Sequence, residues 1–63
     1  MIEFKLPDMS CGHCVGVVTR TVHETDPQAT VEVDLPSQTV RIQSAGERRA
    51  FADALAEAGY PTA

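Results

Sequence analysis

The sequence has no tryptophan, only two cysteines and no long run of apolar residues. No stretch is long and apolar enough to span a bilayer or to serve as a signal peptide, so we expect a cytosolic protein without membrane insertion. Thiols stay reduced in the cytosol, and the two cysteines are therefore available as ligands. Two cysteines alone are too few for a four-ligand structural zinc site.

Basic residues are also few and scattered. Five Lys and Arg residues stand against nine Asp and Glu residues, which gives a formal net charge of −4. Without a basic run, we do not expect the chain to bind nucleic acid. The acidic balance instead favours encounters with partners that present a basic docking face.

The length of the chain allows one domain, residues 1–63, with one core. Of its 63 residues, 43% are hydrophobic. A domain of this size buries only about 60% of its unfolded surface, so we expect modest stability, to which a bound metal ion would add.

Both cysteines lie in the stretch Met9-Ser10-Cys11-Gly12-His13-Cys14. Two thiols with two residues between them either bind one soft metal ion, cycle between dithiol and disulfide, or supply half of a four-ligand zinc site. The zinc site is excluded because only His13 and His23 are left as ligands, and their spacing does not match a zinc finger. Two thiolates without harder ligands favour Cu(I), with Zn(II) and Hg(II) as competitors.

The redox interpretation comes from the string Cys-Gly-His-Cys, which is also found at the active site of protein disulfide isomerases. Thioredoxin-like domains resemble one another in a Trp directly before the first Cys and in a length of roughly one hundred residues. This chain has neither. We therefore expect a binding protein and not an enzyme, and keep a small thiol-disulfide oxidoreductase as an alternative.

Three segments show the alternation of apolar and polar residues that predicts β-strands. The first covers residues 2–6 and ends at Pro7, which cannot donate to a strand ladder. The other two cover residues 29–35 and 39–43. The turn residues Pro36-Ser37-Gln38 between them predict a hairpin.

Two segments show helical spacing. Val15, Val18 and Val22 form one apolar stripe, which predicts a helix from Cys14 to about Glu24 that ends at Asp26-Pro27.

The second helix is predicted to open at the capping-box pattern Ser44-x-x-Glu47 and to end at Gly59. Residues 60–63 then form a short last strand. The apolar stripe of this helix consists of Phe51, Leu55 and Ala58.

The predicted element order is βαββαβ. With right-handed crossovers, this order gives an α+β fold in which a four-stranded antiparallel sheet carries both helices on one face. The cysteine loop then lies at one tip. With Gly12 and His13 at the start of the first helix, the thiols lie near the positive end of the helix dipole, which lowers thiol pKa values.

The pattern Met9-x-Cys11-x-x-Cys14 followed by Val15-x-x-Val18 resembles the heavy-metal-associated domain, in particular the bacterial copper chaperones of the CopZ type. The resemblance covers nearly the whole chain and implies a ferredoxin-like βαββαβ sandwich that carries Cu(I) on its two cysteines. It further implies delivery of Cu(I) by ligand exchange to a copper-transporting P-type ATPase or a copper-responsive repressor. We also expect that a copper-bridged homodimer is accessible.

By this resemblance, Cys11 and Cys14 are the metal ligands. Met9 is expected to turn into the core and tether the loop, which we prefer to a role as thioether ligand. Tyr60 either shields the thiolates beside the metal loop or simply ends the core. His13 is either a third donor that assists transfer or a solvent-exposed loop residue.

Two residues near the thiols bear on the choice of metal. Family members usually have Gly where this chain has Asp8, a carboxylate that would raise thiol pKa values or favour a divalent ion. Relatives selective for Zn(II) tend to carry Asp directly before the first Cys, where this chain has Ser10, and this favours Cu(I). A carrier or transporter domain for zinc or mercury stays an alternative.

Overall fold

The computed structural model describes all residues from Met1 to Ala63. Its five elements agree closely with the predicted segments and occur in the order βαββα. They are strand β1 (Ile2–Lys5), helix α1 (Gly12–Thr25), strand β2 (Thr30–Asp34), strand β3 (Thr39–Gln43) and helix α2 (Arg48–Glu57). None of the helices has both the length and the apolar character that crossing a membrane requires.

The three strands form one antiparallel sheet in the order β1-β3-β2. The register aligns the apolar residues of all three strands in rows, because side chains on a strand alternate between the two faces. One row joins Phe4, Val40 and Val33, and the next polar row joins Glu3, Arg41 and Glu32. The sheet therefore has one apolar face and one charged face.

Both helices pack on the apolar face of the sheet. Helix α1 buries Cys14, Val18 and Val22, and helix α2 buries Phe51 and Leu55. The resulting two-layer arrangement has a single core with no buried polar or charged residue. The core residues are Phe4, Leu6, Met9, Cys14, Val18, Val22, Ala29, Val40, Ile42, Phe51 and Leu55.

The sheet has three strands where four were predicted. Residues 60–63 run beside β1 but make one backbone hydrogen bond to it, from the Ala63 N–H to the Lys5 carbonyl at 2.9 Å. Two donors that a ladder would need are missing. Pro61 has no N–H, and the N–H of Tyr60 donates to the Leu55 carbonyl instead.

The predicted capping box of α2 is wrong. Helix α2 begins after Glu47, and no side-chain hydrogen bond caps it. The Ser44 hydroxyl instead donates to the Asp26 carboxylate at the end of α1 and accepts the Gly46 N–H at 2.9 Å. Ser44 thus ties the segment between β3 and α2 to the end of α1 and does not cap α2.

Gly59 ends α2 as predicted. Its φ of 99° lies in the left-handed region that glycine adopts without steric cost. The Gly59 N–H donates to Ala56 and the Tyr60 N–H to Leu55, at 3.1 and 2.9 Å, which is the paired pattern of a Schellman motif. This turn directs Tyr60 back towards the start of α1.

Candidate metal centre

The loop between β1 and α1 presents the two cysteines at the surface. Leu6 and Met9 are fully buried and fix the loop to the core. The Met9 N–H donates to the Leu6 carbonyl at 3.0 Å and closes the loop's first turn. Cys11 is the N-cap of α1, and Cys14 lies in its first turn. The chain therefore brings both thiols to the N-terminal end of one helix.

The two sulfurs are close but not bonded to each other. Their Sγ atoms lie 3.1 Å apart and both cysteines are free thiols, whereas a disulfide bond is about 2.05 Å long. Two sulfurs that share one ion with metal–sulfur bonds of about 2.3 Å stand between about 3.8 and 4.6 Å apart, for tetrahedral to linear geometry. Binding therefore requires a small separation of the pair. Cys11 is exposed and has room to move, while Cys14 is only 9% exposed.

The Cys14 thiol is poised as a thiolate. Its pKa is lowered from 9.0 to about 6, chiefly by hydrogen bonding from the Tyr60 hydroxyl and then by the backbone of Ser10 and the side chain of Cys11. Burial opposes this shift. The predicted lowering is thus present at Cys14, but its largest cause is a side chain from the other end of the chain.

Tyr60 contacts the site from beyond the end of α2. It is half-buried against the core, and its pKa is raised, chiefly by Cys14. A phenol that donates to a thiolate holds its own proton more firmly. Tyr60 therefore both packs against the core and influences the charge of the Cys14 sulfur.

The other candidate residues lie around the pair without joining it. Met9 is 0% exposed, so its thioether lies in the core. His13 is exposed in the first turn of α1, and no group of three or more His, Cys, Asp and Glu side chains is arranged to hold a metal ion. His23 is exposed further along α1, with its Nε2 3.2 Å from the Ala29 carbonyl. The site thus offers two sulfur ligands.

Asp8 does not act on Cys14 as expected. It is exposed, and the causes of the shift in the Cys14 pKa do not include it. The shift runs downward, opposite to the direction that a neighbouring carboxylate would impose.

Gln38 is a site-related residue that sequence reasoning missed. The sequence pattern places it only in the hairpin turn, but its side-chain amide donates to the carbonyls of Pro7 and Met9 in the cysteine loop. These partners lie 31 and 29 residues away in sequence. No local pattern reports such a distant contact.

The chain is similar to known metal-handling proteins. A COP-associated protein of Helicobacter felis is 30% identical over 61 residues, which cover 94% of this chain and 92% of the relative. The copper chaperone Atx1 of Synechocystis, in a His-to-Tyr mutant described as the Cu1, trimeric form, is 40% identical with a TM-score of 0.96 and complete coverage of both chains. A gold binding protein is 32% identical with a TM-score of 0.95, over 98% of this chain and 95% of that one.

The family follows from the same comparison. The heavy-metal-associated domain matches residues 3–61, a span that contains the whole sheet, both helices and the two cysteines. On this match, together with the likeness in fold and the paired thiols, the chain belongs to the heavy-metal-associated domain family.

Proposed function

We propose that this chain is a Cu(I) chaperone that binds one ion between the thiolates of Cys11 and Cys14. The observation that carries the proposal is the pair of free sulfurs 3.1 Å apart, with no third protein ligand beside them. Two soft ligands suit Cu(I), which accepts low coordination numbers, better than they suit ions that need four donors.

The geometry also supports release of the ion. A site with two ligands leaves coordination positions open, so a partner's thiolate binds the ion before Cys11 and Cys14 let go. With a pKa of about 6, Cys14 is mostly thiolate at neutral pH and gives up few protons on binding. The ion moves by ligand exchange and is never free, and no substrate is converted, so the protein is not an enzyme.

The receiver in this proposal is a copper-transporting P-type ATPase or a copper-responsive repressor, met in the cytoplasm. The net charge of −4 favours a partner with a basic docking face. Two loaded chains whose loop tips face each other form a copper-bridged homodimer. The trimeric form described for the Synechocystis relative supports self-association in general and not this dimer in particular.

A second candidate is a carrier or transporter domain for another thiophilic metal. The similarity to a gold binding protein is the observation that supports this second candidate. Zn(II) and Hg(II) are the other ions for which two thiolates compete. Zn(II) is disfavoured because it needs four ligands and the site supplies two.

The test is a competition titration of the reduced protein with Cu(I) against a chromophoric Cu(I) chelator, beside equivalent titrations with Zn(II), Hg(II) and Au(I). We expect one Cu(I) per chain, or a copper-bridged dimer, to survive a chelator that strips the Cys11→Ser variant. Tighter binding of Zn(II) than of Cu(I) would assign the cargo to zinc. Hg(II) and Au(I) bind thiolate pairs tightly in general, so their titrations show only whether the site accepts them.

The Cys14→Ser variant distinguishes the oxidoreductase alternative from both metal-carrier proposals. A carrier loses tight metal binding in this variant, whereas an oxidoreductase loses disulfide turnover on a peptide substrate. Turnover by the wild type that exceeds the rate of a free dithiol, together with no retained metal, would contradict the chaperone proposal.

A further inference from the structure

Gln38, in the turn between β2 and β3, is tied to the cysteine loop by its backbone and by its side chain. Its carbonyl accepts the Leu6 N–H at 2.8 Å. Its Nε2 donates to the Pro7 carbonyl at 2.8 Å and to the Met9 carbonyl at 3.3 Å. One side chain from the turn before β3, the strand that pairs with β1, thus holds two carbonyls of the loop that leads to Cys11.

The chemistry of the contact requires a donor at this place. Both partners of the Gln38 amide are backbone carbonyl oxygens, which only accept hydrogen bonds. A side-chain amide donates through its nitrogen alone, so a single orientation of the Gln38 amide satisfies both carbonyls. A carboxylate of the same size would place acceptors against acceptors.

The backbone of Gln38 adds an independent observation. Its φ of 57° makes it the one residue other than glycine with positive φ in the chain. This left-handed conformation suits Gly or Asn and costs free energy in other residues. Glycine would relieve the cost but would have no amide to offer. A strained residue whose side chain contacts a functional loop points to a role for that side chain.

We propose that Gln38 is a positioning residue for the metal site, and we name its two side-chain hydrogen bonds to Pro7 and Met9 the Gln38 clamp. The clamp holds the loop in the conformation that presents Cys11 beside Cys14. Without it, the loop samples other conformations, and the apparent metal affinity falls by the fraction of molecules still competent to bind. This proposal rests on the proposed metal-binding function.

Four substitutions separate the clamp from general stability. Gln38→Gly removes the clamp and relieves the backbone, so unfolding temperature should be unchanged or raised. Gln38→Met keeps side-chain length without a donor. Gln38→Lys keeps a donor able to reach both carbonyls, and Gln38→Glu reverses the polarity of the contact at nearly constant shape.

Two readouts are measured on the reduced full chain. The first is the dissociation constant for Cu(I), taken by chelator competition well below the unfolding temperature. We expect about five- to tenfold weaker binding for the Gly, Met and Glu variants, as the loss of two net hydrogen bonds implies, and near wild-type binding for the Lys variant. The second readout is hydrogen exchange of the metal-free protein. In the Gly, Met and Glu variants we expect faster exchange at the Met9 amide and unchanged exchange at the Val40 amide in β3.

The outcomes are distinguishable. If the Gly variant binds Cu(I) as tightly as wild type, or if all variants weaken binding in proportion to lost stability, the clamp has no positioning role. If wild type itself binds no Cu(I), the proposed function fails, and hydrogen exchange alone decides. Unchanged exchange at the Met9 amide in the Met variant then overturns the clamp. Faster exchange in the Met variant, together with the wild-type rate in the Lys variant, supports it.

Discussion

The side chain of Tyr60 is the largest cause of the lowered pKa of Cys14, and so the residue that follows the second helix acts on the first turn of the first helix. Together with the backbone of Ser10 and the side chain of Cys11, the Tyr60 hydroxyl lowers the pKa of Cys14 to about 6, and Cys14 in turn raises the pKa of Tyr60. It stabilises the thiolate over the thiol because a hydroxyl donates more strongly to a charged acceptor. The reactivity of the metal site is therefore set partly by the end of the chain.

Replacing Tyr60 by Phe should raise the pKa of Cys14 towards its ordinary value of 9.0. The substitution removes the hydroxyl and keeps the ring that packs on the core. A rise of one pKa unit would lower the thiolate fraction at pH 6.5 roughly threefold, and alkylation would slow in proportion. The measurement is the pH profile of alkylation in a Cys11→Ser background, so that only Cys14 reacts. An unchanged profile would mean that the hydroxyl does not set the pKa.

The stability of the reduced, metal-free protein should rise with pH between about 6 and 9.0, the folded and ordinary pKa values of Cys14. The folded value is the lower one, so this contribution is complete above the ordinary pKa and is lost as the pH falls through about 6. Urea unfolding at a series of pH values measures it. Cys14→Ser is the control, because it keeps every other titrating group, and its free energy of unfolding should show a smaller slope over the same range.

Ser44→Ala should destabilise the protein by breaking the hydrogen bond to Asp26 that ties the segment between β3 and α2 to the end of α1. This bond is the largest cause of the lowered pKa of the Asp26 carboxyl. Loss of one such bond should lower the unfolding temperature of a domain this small by a few degrees, roughly 4–8 °C.

The pH dependence of that loss provides the control. The Asp26 carboxylate contributes stability above its ordinary pKa of 3.8, and the contribution is lost as the pH falls through the depressed folded value. The difference in unfolding temperature between Ser44→Ala and wild type should therefore shrink in acid. An equal difference at all pH values would show that the carboxylate is not involved.

Gly59→Ala and Gly16→Ala should change stability in opposite directions. Neither added methyl group would meet an atom within 4 Å, so the difference lies in the backbone. Gly59 has a φ of 99°, where a side chain is strained, and we expect a loss of about 1 kcal/mol. Gly16 lies inside α1, where alanine is the better helix former, and we expect a gain of about 0.5–1 kcal/mol.

The Gly59→Ala and Gly16→Ala variants also test whether the turn at Gly59 affects the metal site. If the turn at Gly59 positions Tyr60, Gly59→Ala should also raise the pKa of Cys14, whereas Gly16→Ala should leave it near 6. The alkylation profile used for Tyr60→Phe measures both. A Gly59→Ala protein that is less stable but has an unchanged profile would limit the role of this turn to folding.

The local patterns of the sequence were sufficient for most of the fold. Alternation in residues 2–6, 29–35 and 39–43 predicted strands that the structure places at Ile2–Lys5, Thr30–Asp34 and Thr39–Gln43. Burial on one face requires period two in a strand and period 3.6 in a helix, so these elements are visible in the order of the residues alone. The points where the elements begin and end were harder to predict from local patterns. Ser44 matches a capping box but finds a better partner in Asp26, which comes from another element.

The predicted fourth strand does not form, and the reason is again a hydrogen bond that depends on another element. Residues 60–63 follow a helix end in the predicted order, but whether they pair depends on which donors are already in use. The Tyr60 N–H is taken by the Schellman turn of α2, and Pro61 has none to give. The competition between helix cap and strand ladder is decided where the two elements meet.

The sequence by itself determined the order of the first five elements, the helix end at Gly59 and the Cys-x-x-Cys loop, because each depends on residues within a few positions of one another. Only the tertiary structure decided what surrounds the sulfurs. Tyr60 reaches Cys14 from beyond α2, and the Gln38 amide reaches the cysteine loop across 29 to 31 residues. Hydrogen bonds depend on distance in space, and residues so far apart in sequence become neighbours only when the sheet and helices pack.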